Sequence, residues 1–168
     1  MGLNRGVTSV RPTRVTMICT GNICRSPMAE VVLRQLLDEA GVPGVEVTSS
    51  GMGGWHVGEG ADRRTVQVLR RHGYDGSAHV ASKFDKRSFG DFDLVLAADR
   101  GHLRELHAAA GTPADRAKVR LLREFDPAAV AADSLEVDDP WYGDMSDFER
   151  CLAEVEAACR GLVEHLRP

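Results

Sequence analysis

The stretch Val15-Thr16-Met17-Ile18-Cys19-Thr20-Gly21-Asn22-Ile23-Cys24-Arg25-Ser26-Pro27 joins an apolar run to a helix start through a short loop holding a cysteine and an arginine. Val15 to Ile18 are β-branched or apolar, the pattern of a buried parallel strand. Ser26 can cap a helix, and Pro27 suits its first turn, because proline's φ is already helical and its missing N–H would be unpaired there. The expected order is strand, loop, helix N-terminus.

Such a loop can turn successive peptide N–H groups inward, while the helix dipole adds positive potential at the same point. That makes a cradle for a dianion. Arg25 can close it with a planar fork that matches two phosphoryl oxygens. Gly21 permits the turn, and Asn22 tolerates left-handed geometry while bracing the loop from within. The same field favours the thiolate of Cys19, the form that attacks phosphorus to give a thiophosphate, which water then hydrolyses.

The chain has 168 residues, 43% apolar and 27% charged, enough for one domain with its own core. Residues 1–13 lack periodicity and are expected to be a disordered leader, with a single domain over residues 14–168. A formal charge of −4 with scattered basic residues gives neither a nucleic-acid footprint nor a membrane-attracting cluster. No apolar run approaches about 18 residues and no signal peptide is apparent, so a cytoplasmic protein without membrane insertion is expected. Cys19-x4-Cys24 falls inside the loose zinc spacing, but Cys151 and Cys159 are eight apart and no Cys-His cluster completes a tetrahedral site. No metal or cofactor is implied, and the thiols are expected to stay reduced unless catalytic or redox-sensing.

Outward from the opening loop, Met28, Val31, Val32, Leu36 and Leu37 make a helical stripe ending at Gly41. Val45 to Ser49 reads as a strand leading into a glycine-rich loop, residues 50–58, that contains Trp55. Ala61 to His72 reads as a helix with Val66 and Leu69 inward, and Ser77 to Ala81 as a short strand or edge. Asp93 to Ala98 is a buried strand, followed by a helix over 100–110 and a further strand from Lys118 to Leu122. Residues 123–145 read mostly as loop, long enough to suggest function. The last helix opens with Ser146-Asp147-Phe148-Glu149 as a capping box and carries Cys151 and Cys159 on its apolar stripe. This βαβ alternation predicts an α/β, doubly wound parallel sheet, with ligands beyond the strand C-termini.

The string from Cys19 to Pro27 resembles the signature of the low-molecular-weight protein tyrosine phosphatases of bacteria, and Asp138-Asp139-Pro140-Trp141-Tyr142-Gly143 resembles their second signature. The resemblance covers about residues 13 to 166 and implies a four-stranded sheet with the phosphate-binding loop after its first strand. It implies Cys19 as nucleophile, Arg25 as phosphate ligand and Asp139, directly before the proline, as general acid; Asp138 stays an alternative. Thr20, Gly21, Asn22, Ile23, Cys24 and Ser26 would bind the phosphoryl group, and Ser26 would steady the departing thiolate. Ser50, His79 and Asp99 would brace the loop through hydrogen bonds. Trp55, Trp141 and Tyr142 would wall a pocket deep enough for a phosphotyrosyl ring, or else merely fill core. Cys24 is either a passive thiol or a trap for oxidised Cys19. Ser82 and Met52 depart from the family pattern at the substrate rim.

The implied partners are tyrosine-phosphorylated proteins and small aryl phosphates, with inorganic phosphate as product. Arsenate reduction on the same fold would need a relay of further thiols, yet no cysteine lies between Cys24 and Cys151. Intact Cys19, Arg25 and Asp139 argue against a phosphate-recognition module without turnover, and a phosphocysteine carrier would have no use for Arg25 together with a proton donor.

Overall fold

The computed structural model describes residues 10–168. Strands β1 (Thr13–Cys19), β2 (Val45–Gly51), β3 (Leu94–Ala97) and β4 (Val119–Leu121) form a parallel sheet in the order β2-β1-β3-β4. Six helices surround it: α1 (Arg25–Glu39), α2 (Arg63–Arg71), α3 (Arg100–Ala109), α4 (Pro113–Ala117), α5 (Pro127–Ala131) and α6 (Met145–Leu166). Alternate side chains of β1 enter opposite cores. Met17 joins Met28, Val32, Leu33, Leu69, Phe148 and Leu152 from α1, α2 and α6. Ile18 instead joins Phe84, Val95, Leu106 and Leu121 on the other face. The sheet is therefore covered on both sides, which makes the fold doubly wound.

The leader expectation falls largely on residues 1–9, outside the described residues. Where the description begins, Arg11 pairs with Asp93 at 3.0 Å and the Thr13 N–H donates to the Gly44 carbonyl. Among the described residues no helix is long and apolar enough to cross a membrane.

Several elements differ from the sequence expectation, each for a local reason. Helix α1 starts at Arg25, and Ser26 does not cap it because its hydroxyl is taken up by Cys19 and Asn22. Leu33 rather than Val31 or Leu36 completes the buried stripe of α1, and Val68 with Thr65 takes the place expected for Val66 in α2. No strand forms over 77–81: Asp75 accepts from the N–H of Ser77 in a turn, and the bridge to Gly51 is made by Lys83. Residues 123–145 are more ordered than a loop, because Asp126 caps α5 from its side chain and Pro127 supplies the first helical φ. Thr112 and Pro113 start α4 in the same way. The box that opens α6 is Asp144 with Asp147 instead of Ser146 with Glu149, since Asp144 already holds both the N–H and the hydroxyl of Ser146.

Candidate active site

Beyond the C-terminal end of β1, residues 20–24 fold back on themselves before α1 begins. Asn22 sits at φ 58°, the left-handed conformation that asparagine tolerates better than most residues. The loop's carbonyls are committed to partners around it. Cys19, Thr20 and Ile23 accept from the N–H groups of Met52, Gly53 and Asp62 at 2.9 Å each, and Asn22 accepts from His79 Nε2 at 2.7 Å. In a trans peptide the N–H of the next residue points opposite to the carbonyl. The N–H groups of Gly21, Ile23 and Cys24, residues that line the cleft, thereby point away from those partners, as an anion cradle requires.

Asn22 is fully buried and holds this shape from inside. Its amide nitrogen donates to Ser26 Oγ at 2.8 Å and Ser49 Oγ at 2.9 Å, while its Oδ1 accepts from the Ser82 N–H at 2.9 Å. Ser49, not Ser50, is the strand hydroxyl that reaches the loop, because neighbouring side chains of β2 point to opposite faces. Ser50 takes part only through its carbonyl, 3.5 Å from Ser26 Oγ. Ser82 contributes its backbone N–H, and its hydroxyl donates to the Ser49 carbonyl at 3.3 Å. Gly51 ends β2 against the loop: a Cβ there would lie 2.8 Å from the Thr20 carbonyl and 3.0 Å from the Asn22 nitrogen.

The Cys19 sulfur lies 2.9 Å from Ser26 Oγ. Arg25, 4% exposed, donates from one terminal nitrogen to Asp99 Oδ2 at 2.8 Å and the Val137 carbonyl at 2.9 Å. Its other terminal nitrogen reaches Thr20 Oγ1 at 3.2 Å and faces Asp139 Oδ2 at 3.6 Å. Burial pushes the Asp99 carboxyl up, but hydrogen bonds from Arg25 and the His102 N–H outweigh it and hold the group below its ordinary range. Burial also lowers Arg25, and the charges of Cys19, Asp139 and Asp99 outweigh that effect.

Sequence reasoning missed His102, which is 5% exposed. Its Nε2 lies 2.8 Å from Thr20 Oγ1 and its Nδ1 3.2 Å from Asp99 Oδ1, the latter without aligned hydrogen-bond geometry. A carboxylate facing Nδ1 favours the Nδ1–H tautomer, which leaves Nε2 to accept the Thr20 hydroxyl proton. Burial lowers His102 below its usual value although Asp99 opposes this, so the ring is neutral at pH 7. The sequence signal was faint, a histidine three residues after Asp99.

A cleft of about 250 Å³ opens over Cys19, Thr20, Gly21, Ile23, Cys24 and Arg25, with Trp55, His56, Asp139, Trp141 and Tyr142 around it. Asp138 is exposed and absent from this lining. Asp139 Oδ1 accepts from the Trp141 N–H at 3.1 Å, which leaves Oδ2 on the cleft side facing Arg25. Trp141 and Tyr142 meet edge to face with centroids 4.9 Å apart. Arg64 anchors their segment by donating to the carbonyls of Trp141 and Gly143 while stacking on Phe148. The four cysteines are free and buried; burial pushes the Cys24 thiol up to about 12 and raises Cys151 and Cys159 as well. Among the described residues no group of three or more His, Cys, Asp or Glu side chains is placed to hold a metal ion.

Residues 14–168 match the family described as low molecular weight phosphotyrosine protein phosphatase. The chain belongs to that family. It is 55% identical over 155 residues to a low molecular weight protein-tyrosine-phosphatase of Streptomyces coelicolor, covering 92% of this chain and 93% of the relative. Among solved structures, a protein tyrosine phosphatase from Entamoeba histolytica with Hepes in its active site superposes with a TM-score of 0.85 at 28% identity, covering 92% of this chain and 96% of the other. A Drosophila arginine phosphatase superposes with a TM-score of 0.82 at 29% identity, covering 92% and 98%. This phosphatase thus has the fold and the cysteine/arginine chemistry of its family.

Proposed function

We propose that the phosphatase hydrolyses phosphotyrosine in proteins, and small aryl phosphates, through a cysteinyl-phosphate intermediate. The observation that carries this reading is the depth of the nucleophile. Cys19 is 3% exposed at the cleft floor, whereas Trp55 and Tyr142 at the rim are 74% and 83% exposed. A phosphoryl group reaches Cys19 on a long, flat stem such as a tyrosyl ring, while phosphoserine, with one carbon between backbone and oxygen, stops short.

In the first step the Cys19 thiolate forms a bond to phosphorus as the bond to the phenolic oxygen breaks. Asp139 gives that oxygen its proton, and Arg25 with the loop N–H groups holds the equatorial oxygens. In the second step water attacks phosphorus, Asp139 takes the water proton, and the thiolate leaves toward the Ser26 hydroxyl. Asp99 and the Val137 carbonyl keep the Arg25 fork in place, and His79 with Asn22 keeps the loop closed around the site. Ser50 adds only its carbonyl to that support. Trp141, Tyr142 and Trp55 flank the aryl ring. The proposed setting is the cytoplasm, where the four buried thiols stay reduced, and residues 14–168 act as one domain.

Phosphate release from phosphotyrosyl, phosphoseryl and phosphoarginyl peptides in the presence of chelator tests this. Turnover of phosphotyrosine alone is expected, abolished in Cys19→Ser and lowered roughly 10²–10⁴-fold in Asp139→Ala, with Asp138→Ala close to the parent. Preference for phosphoarginine would overturn the substrate class, and an equal loss in Asp138→Ala would overturn the acid.

A further inference from the structure

The two sides of the cleft mouth carry opposite charge. On one side, α2 leaves the phosphate loop directly: the Asp62 N–H is bonded to the Ile23 carbonyl, and Arg64 to the Trp141 carbonyl. From there Arg63, Gln67 and Arg70 follow one another at helical spacing, all exposed. They line an open groove with Ala61, Asp62, Arg64 and Val66. Arg64 is paired with Asp62 at 3.0 Å, whose carboxyl it neutralises, so the charge the groove shows to solvent is that of Arg63 and Arg70. On the other side of Trp55 lies a second groove, of about 290 Å³, that shares Thr20 and Trp55 with the cleft. Asp99 in its lining is paired with Arg25 at 2.8 Å, so the charge this groove shows to solvent is that of Glu105, exposed on α3. Helices α2 and α3 pack in the two cores on opposite faces of the sheet, so the basic and acidic grooves leave the mouth in different directions.

This separation stands out in a chain of net charge −4. Bulk charge repels an acidic substrate, and the α2 groove is where that repulsion is reversed locally. We propose that the α2 groove is a docking surface for acidic side chains on one flank of the phosphorylated tyrosine. The substrate is then a phosphotyrosyl segment whose Asp or Glu residues lie on that flank, with the other flank, beside Glu105, neutral or basic. Docking rests on the phosphotyrosine reading above and adds the sequence context to it. Arg63 and Arg70 touch no reacting group; they raise the population of correctly oriented complex, so their effect falls on KM and on salt dependence.

The test measures kcat/KM on three phosphotyrosyl peptides, with acidic residues N-terminal to the phosphotyrosine, C-terminal to it, or absent, at low and at 0.5 M salt. p-Nitrophenyl phosphate, which has no flank, reports the intact site. One of the two acidic peptides is expected to be cleaved roughly 3- to 10-fold faster than the neutral one at low salt, as two exposed charge pairs allow. High salt and the double variant Arg63→Glu/Arg70→Glu should each remove that advantage, with p-nitrophenyl phosphate turnover unchanged in the variant. Equal rates for all three peptides, an advantage on both flanks alike, or an advantage surviving the charge reversal would each overturn docking while leaving the phosphotyrosine reading in place. Turnover of p-nitrophenyl phosphate with none of the peptides would instead bring down that reading and docking with it.

Discussion

At the floor of the cleft, Asn22, Arg25 and Ser26 are buried, with Asn22 tied to Ser26 and Ser49 and Arg25 tied to Asp99 and the Val137 carbonyl. At the rim, Trp55, Trp141 and Tyr142 are 74%, 46% and 83% exposed, and what holds the latter two is one edge-to-face contact and the backbone bonds of Trp141 to Arg64 and Asp139. The difference follows what each region must do. The floor meets a phosphoryl group of fixed shape and charge, so rigidity placed in advance costs nothing at the moment of reaction. The rim meets a side chain and its neighbours, and area there supplies affinity without fixing the reacting atoms.

The contrast predicts that floor substitutions act on rate and rim substitutions on affinity, and among the residues that support the reacting groups the largest effect belongs to Asn22. Replacing it with alanine removes three side-chain hydrogen bonds and puts a residue without asparagine's tolerance at φ 58°. Each buried group left unpaired costs about 1–3 kcal/mol, so kcat/KM should fall on the order of 10²-fold or more. Asn22→Gly separates the two causes, since glycine adopts positive φ freely but restores no bond. Recovery of most of the activity in Asn22→Gly would show that conformation, not the buried bonds, holds the floor.

A smaller effect is expected at His102, which touches the floor only through Thr20 and Asp99. His102→Phe leaves the Thr20 hydroxyl without its acceptor and should lower kcat/KM about 10-fold. His102→Gln, whose carbonyl can take that proton, should stay within a few-fold. A pH signature separates this from plain loss of packing. The folded protein resists protonating His102, while the unfolded chain takes the proton near the ordinary value of 6.5. The unfolded state therefore binds more protons just below that value, and stability falls as pH drops through about 6.5 toward the lower folded value. The groups facing the ring, Arg25 against protonation and Asp99, Glu105 and Asp139 for it, leave burial as the winning effect. Melting temperatures between pH 7.5 and 5.5 should therefore decline less in His102→Gln than in the parent, and parallel curves would refute the neutral ring.

How far the sequence could be read follows the same division. The β1-loop-α1 unit was legible because strand pattern, loop residues and helix start lie within one short stretch and point to one geometry. The alternation of strands and helices gave the sheet for the same reason. What escaped was decided by contacts distant in sequence. Ser26 looks like a cap until Asn22 and Cys19 claim its hydroxyl, and Ser49 and Ser50 can be told apart only once the facing of β2 is known. His102 meets Thr20 across 82 positions of chain, with no local pattern to announce it. The short helices α4 and α5 were missed for an opposite reason: their caps and prolines were visible, but a run of five residues has no periodicity to support a helix.

The smallest effects are expected at the rim, where they best divide Trp141 from Tyr142. The two rings touch, but only Trp141 is anchored, through its carbonyl to Arg64 and its N–H to Asp139. Those anchors are backbone groups, so Trp141→Ala keeps them and removes only the ring. An aromatic contact of this kind contributes about 0.5–1.5 kcal/mol, which sets a rise in KM for phosphotyrosyl peptide of roughly 2- to 12-fold with kcat nearly unchanged. Tyr142→Ala should raise KM less, because a ring 83% exposed and held only by its contact with Trp141 loses more freedom when it closes on substrate. A fall in kcat for Trp141→Ala would mean that the ring, and not the peptide backbone, sets the place of the Asp139 carboxyl, and the separation of floor from rim would then fail at the general acid.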